Sequence, residues 1–157
     1  MDGQIVEAWE IHNRIQVYVL ESLQDEALIC ASQGRGRTVA DHFAHIHNVR
    51  LMWITASAPD LMAGLNKLDK PDKNASVSKQ TLLQSLIDSG AAISSLVKAS
   101  IAVGGTVKGF KPNVAAFFGY MVSHESYHQG KIDLILRQAG QPIDDKIHYG
   151  MWEWGKR

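Results

Sequence analysis

His124 and His128 stand four residues apart in the run Ser123-His124-Glu125-Ser126-Tyr127-His128-Gln129-Gly130-Lys131-Ile132. On an α-helix that spacing sets two side chains about 40° apart round the axis and one turn along it, so both imidazoles can converge on one metal ion. Phe117 and Met121 lead into the pair, and Ile132 and Ile135 continue from it at helical spacing. The two rings therefore lie on the buried face of a single helix. Burying two imidazoles in one turn without partners is costly, and a metal offsets that cost. Two plainer readings compete: hydrogen-bonded core histidines, and a chance match to the short pattern H-E-x-x-H. A catalytic metal site needs about three protein ligands and an open position, so a third ligand must come from another element.

The elements that would supply it follow from periodicity. Residues 5–23 carry Ile5, Trp9, Val19 and Leu20 at helical spacing, with His12 and Gln16 between them and no Gly or Pro interrupting; this is the first predicted helix, with His12 a satisfied core or rim histidine. Residues 24–30 read as a short helical turn. Residues 32–37 form a loop by composition, and Thr38 with Asp41 three residues on is an N-terminal cap signal. The second predicted helix spans residues 39–56, with Val39, Phe43, Ile46, Val49 and Trp53 inward.

Three histidines ride on that helix: His42, His45 and His47. His45 and His47 point about 160° apart and cannot share a site. Periodicity favours His42 as the most inward and sets His45 at the edge of the apolar arc. Arg50 falls inside the arc, so it requires an acidic partner or a water-filled cavity. A charge aimed inward beside histidines is a site signal, and a snorkelling arginine at the helix boundary is the plainer alternative.

Residues 59–74 form a polar connection with Pro59, Gly64 and Pro71, holding one turn at residues 61–65. Ser78 caps a third predicted helix carrying Leu82, Leu86, Ile93, Leu96 and Val97, weakened in its middle by Gly90; it reads as scaffold. The Gly-rich stretch 104–110 lacks the Gly-Lys-Ser/Thr ending of a phosphate-binding loop. Pro112 stands near the first turn of the fourth predicted helix, where its missing N–H is harmless. That helix runs to about residue 139, ahead of Gly140 and Pro142. Gly130 within it reads as a point of close helix approach. The tail, residues 141–157, reads as irregular, with Trp152 and Trp154 packing over the bundle or in a subunit contact. Four long amphipathic helices in one domain, residues 1–157, with a long connection between the second and third, are the outline of an all-α four-helix bundle. Bundle cores build metal sites from facing helices, here the second and fourth.

Composition narrows the function classes. The 157 residues are 45% hydrophobic and 20% charged, the balance of an ordinary soluble domain. Sixteen Lys and Arg against sixteen Asp and Glu give no net charge, so electrostatics does not point to nucleic acid. The longest apolar run, residues 115–122, is far short of the ~20 residues that span a bilayer. The lone Cys30 excludes a disulfide framework and reads as a small buried hydrophobe. The opening residues lack the basic-then-apolar plan of a secretory signal, and the expectation is a cytoplasmic protein.

Two blocks then resemble the DinB/YfiT-like superfamily of metal-dependent enzymes. Thr38-Val39-Ala40-Asp41-His42-Phe43-Ala44-His45-Ile46 is similar to that family's second helix, with its Ala-His-aliphatic step. His124-x-x-x-His128-x-Gly130-x-Ile132, followed by Leu136-Arg137-Gln138-Ala139-Gly140, is similar to its H-x-x-x-H-x-G-x-I helix and Leu-Arg-x-x-Gly ending. The resemblance implies a four-helix bundle, often a homodimer, whose divalent metal (nickel or zinc, or iron) is held by His45, His124 and His128. It favours His45 over His42, leaving His42 and His47 as supporting or alternative ligands. It also implies chemistry on a small molecule, either hydrolysis or transfer of a low-molecular-weight thiol. Glu125 would orient a ligand histidine of a neighbouring helix, or lie solvated on the surface; Arg50 and Tyr127 are weaker candidates for substrate contact.

Two other readings stay open. His124-Glu125-x-x-His128 matches the zincin metallopeptidase pattern with Glu125 as general base, although its extended form fails because Gly130 comes one place early and no third histidine follows at the right distance. The second is a non-catalytic helical interaction protein.

Overall fold

The computed structural model describes residues 2–32, 36–70 and 75–157. Its elements are α1 (Asp2–Ser22), the single turn α2 (Asp25–Leu28), α3 (Val39–Ser57), α4 (Lys79–Ala102), α5 (Val114–Gln138) and the short α6 (Asp145–Gly150), with 3-10 turns at Pro59–Met62 and Trp154–Lys156. Met1, residues 33–35 of the loop before Thr38, and residues 71–74 of the connection, with Pro71, lie outside the described residues. The four long helices form the expected all-α bundle. No helix among the described residues is long and apolar enough to cross a membrane.

Local chemistry sets where the helices begin. The Thr38 hydroxyl accepts from the Asp41 amide at 3.1 Å, and the Asp41 carboxylate accepts from the Thr38 amide at 3.0 Å. That reciprocal box opens α3. Ser78 caps α4 through the Thr81 amide and Asn113 caps α5 through the Ala116 amide, each cap contributing about 1 kcal/mol. Pro112 thus lies just ahead of α5 rather than in its first turn. At the far end of α5, Gly140 takes a φ of +72° while Gln141 N–H donates to Leu136 O, a left-handed stop that favours glycine.

Packing places α1 against α4 and α5, and α3 against the same two, so that α1 faces α3 across the bundle. The apolar core falls into two halves. One gathers Val19, Leu20, Phe43, Ile46, Leu82, Leu86, Ile132 and Leu136; the other gathers Trp9, Ile54, Ile93, Val97, Phe117 and Met121. Between them each long helix contributes buried polar groups: His12 and Gln16 from α1, Arg50 from α3, Ser89 from α4, Glu125 from α5.

Three expectations are corrected. The tail is not irregular: Asp144 caps α6 through the Lys146 amide, a local signal too short to stand out as a helical period. Cys30 is half-buried rather than core, its Sγ 3.5 Å from Glu26 O. Gly130 marks no close approach, since a Cβ there would meet nothing within 4 Å. The glycine that does is Gly90, where a Cβ would sit 2.2 Å from Asn13 Nδ2, and whose carbonyl accepts from Trp9 Nε1 at 2.9 Å.

Asn13 cannot swing clear of such a methyl group without surrendering its hydrogen bond to Arg50. Gly90→Ala is therefore expected to destabilise the fold by about 1–3 kcal/mol, against the ~1 kcal/mol gain that helix propensity alone gives at the open, exposed Gly119. Urea denaturation of Gly90→Ala beside Gly119→Ala checks the opposite signs.

Candidate metal centre

α3 and α5 run antiparallel, and their pairing builds the site. His42 meets His128, His45 meets His124 and His128, Arg50 meets Glu125, and Trp53 meets Phe117 and Tyr120. The ring centroids of His45 lie 5.3 Å from His124 and 4.6 Å from His128, and the latter two are 4.6 Å apart. One nitrogen from each of the three rings falls within 4.8 Å of the others. The sequence-predicted trio is thus brought together, with His128 buried and His45 and His124 half-buried.

The cluster suits a cation. Burial lowers the His45 pKa to about 4 and that of His128 to about 3, aided by Arg37 and by the neighbouring histidines. Burial likewise lowers His124, with Arg37 acting in the same sense. All three rings are neutral at pH 7, the form that ligates metals. His124 Nδ1 is buried with no partner among the described residues, a cost that a ligated ion would remove. The cluster can hold a metal ion.

His42 and His47 part company. His42 Nδ1 lies 2.9 Å from His128 Nδ1, directly behind the cluster. His47 is the most buried of the three on α3, at 1% exposure against 7% for His42, so the periodicity reading of His42 as the most inward is corrected. His47 turns instead toward Ser85 O and Asn66 O, at 3.0 and 2.9 Å. The α3–α4 connection and the face of α4, neither visible in the periodicity of α3, account for its depth.

Glu125 departs from expectation, whereas Arg50 finds in it the acidic partner that its inward position required. Neither has any exposure. Arg50 Nε and Nη2 donate to the two Glu125 oxygens at 2.7 Å each, and Nη1 donates to Asn13 Oδ1 at 2.7 Å and Leu86 O at 3.0 Å. His12 Nε2 donates to Glu125 Oε2 at 2.9 Å. Burial by itself raises the Glu125 carboxyl; the Arg50 charge and the hydrogen bonds from Arg50 and His12 outweigh it and hold the group at about 2. With both oxygens so engaged, Glu125 neither orients a ligand histidine nor lies solvated, and it does not face the cluster as the general base of a zincin. Its position about 100° round α5 from His124 sends it toward α1 and α3. Arg50, sealed beneath, does not reach a substrate.

Tyr127 is 61% exposed at the rim, its ring 5.2 Å from that of His128. Two features escape sequence reasoning. Tyr120 stacks on His124 at 6.3 Å, and Arg37, from the loop before α3, lends its charge to the whole cluster. Beside His45 a groove of about 450 Å³ opens, with Arg37, Asp41, Lys67 and Lys70 in its lining. Lys70 pairs with Asp41 at 2.8 Å and Lys67 with Asp69 at 2.9 Å, whereas Arg37 forms no ion pair among the described residues.

Glu125→Gln keeps the shape of the buried pair and removes its charge, and is expected to cost about 3–5 kcal/mol at neutral pH. Because the folded carboxyl titrates at about 2 against an ordinary 4.5, its stabilisation is complete above about 4.5 and is lost as pH falls toward 2. Guanidinium unfolding of both proteins across that window is expected to show the gap closing with acid.

A family model, the DinB family, matches residues 1–152. No curated protein matches the chain. The all-α bundle, the three-histidine cluster between α3 and α5, and a match over nearly the full length fit a metal-binding protein of that kind, and the chain belongs to the DinB family.

Proposed function

We propose that this protein is a metal-dependent enzyme in which His45, His124 and His128 hold a divalent ion, nickel or zinc before iron, and act on a small molecule by hydrolysis or thiol transfer. The observation that carries this reading is the convergence of three neutral imidazoles, one of which, His45, lines an open groove. A divalent ion on three neutral ligands supplies Lewis acidity, which keeps a water or a thiol deprotonated near neutral pH.

The chain's own residues do the rest. With His128 ligating through Nε2, its Nδ1–H donates to His42 Nδ1, 2.9 Å away, which holds the ring in the ligating tautomer. Arg37 offers at the groove a charge that forms no ion pair among the described residues, so the favoured substrate carries an anionic group. Tyr120 and Tyr127 flank the histidines and bound the space in which that substrate lies.

Metal analysis of protein purified without a histidine tag is expected to find about one divalent ion per chain, lost in His45→Ala and His128→Ala. His42→Ala is expected to weaken binding by about 10–100-fold, the usual effect of removing a group that orients a ligand. His47→Ala leaves the metal in place and lowers stability by about 1–3 kcal/mol, through the carbonyls it abandons. Thiol transfer is scored by a low-molecular-weight thiol displacing chloride from a chlorodinitrobenzene, and hydrolysis by release of nitrophenol from an anionic ester. Both activities insensitive to chelation, or full metal content in His45→Ala, would overturn the reading and leave a helical interaction protein.

A further inference from the structure

A second cavity lies on the other side of α5. Ser126, Gln129, Gly130 and Asp133 line it, and on the helical wheel they point about 170° away from His124 and His128. Its volume is about 280 Å³, at the lower edge of the ~300–1,000 Å³ of ligand pockets. α1 forms one wall, and α6 with the chain after it closes the other, where Trp152 and Trp154 complete the lining.

The unusual feature is its polar chemistry. Five buried side-chain atoms of its lining have no hydrogen-bond partner among the described residues: Gln16 Oε1, Gln129 Oε1 and Nε2, Asp133 Oδ1 and His148 Nδ1. Gln16 is 2% exposed and Gln129 9%, while Asp133 and His148 are half-buried, so three of the five atoms belong to side chains that do not face bulk water. Leaving a buried polar atom unpaired costs about 1–3 kcal/mol, and five around one cavity, from α1, α5 and α6, mark a surface built to be met. Gly130 adds to this. A Cβ there would meet nothing within 4 Å, so packing does not demand glycine; its missing side chain widens the cavity instead, against the helix propensity that favours any other residue but proline.

The character of the lining selects the occupant. Three of the five unpaired atoms are carboxamide or carboxylate oxygens. Asp133 is the one carboxylate in the lining, which contains no lysine or arginine, and Arg137 holds only its other oxygen, at 2.9 Å. Two indoles supply the faces on which a flat cation is attracted. We propose that this cavity is a binding site for a small organic cation bearing N–H donors, an amidinium or aryl-ammonium compound, separate from the metal centre.

The probe is benzamidine, with acetophenone as a partner of the same outline that carries neither charge nor N–H. Calorimetric titration of the full chain is expected to give benzamidine a Kd at or below about 1 mM and acetophenone at least about tenfold weaker. Gly130→Leu, which fills the cavity from a helix position free of clashes, is expected to weaken benzamidine by about tenfold or more while metal content stays unchanged. Trp152→Ala, at a residue 70% exposed, is expected to weaken it about threefold or more, and it decides the matter should Gly130→Leu fold poorly. Equal affinity for the two probes, no binding of benzamidine at about 10 mM, or wild-type binding in the variants would overturn the assignment. Loss of metal in His45→Ala leaves these outcomes untouched, so the two sites are tested apart.

Discussion

The Arg50–Glu125 pair is the constraint on which the rest of the bundle depends. Two opposite charges with no exposure are tolerable in a core only when every donor and acceptor around them is satisfied, and here all four long helices contribute. α3 gives the guanidinium and α5 the carboxylate; α1 gives His12 and Asn13, and α4 gives the Leu86 carbonyl. The guanidinium also lies 5.0 Å over the Trp9 ring. The polar layer divides the apolar core into two halves, each closed by its own set of large side chains.

That layer fixes register as well as composition. Along the antiparallel α3–α5 seam the contacts run from His42 with His128, through Arg50 with Glu125, to Trp53 with Phe117. Sliding α5 by one turn, about 5.4 Å, would leave two charges buried without partners. The register that pairs the charges is the one that sets His45 opposite His124 and His128. The three-histidine cluster is therefore positioned by an ion pair that is not part of it.

α5 serves three directions at once. One side presents the histidines to the α3 groove, a second sends Glu125 into the core, and a third, with Gln129, Gly130 and Asp133, faces the cavity closed by α6. The two clefts differ in electrostatic sense. Beside His45 stand Arg37 and two lysines that are paired with Asp41 and Asp69, while the cavity carries a lone carboxylate among amides and indoles.

Much of this was legible in the residues alone. The four long helices followed from apolar spacing and from the Thr38, Ser78 and Gly140 signals, because capping and periodicity are local properties. The His124–His128 pair stood out for the same reason, one helical turn being a fixed distance. The choice of His45 over His42 came only through family resemblance, since periodicity on α3 reports depth and not which neighbour a ring meets. The partner of Arg50, the service of Glu125 to that partner rather than to the histidines, the role of Gly90, and the cavity behind Gly130 were decided by tertiary structure. Each depends on contacts between residues far apart in the chain, and α6 in particular was too short to announce itself. Local pattern determined which segments are helical and which residue types could ligate; the packing of four helices around one buried charge pair decided which of them meet.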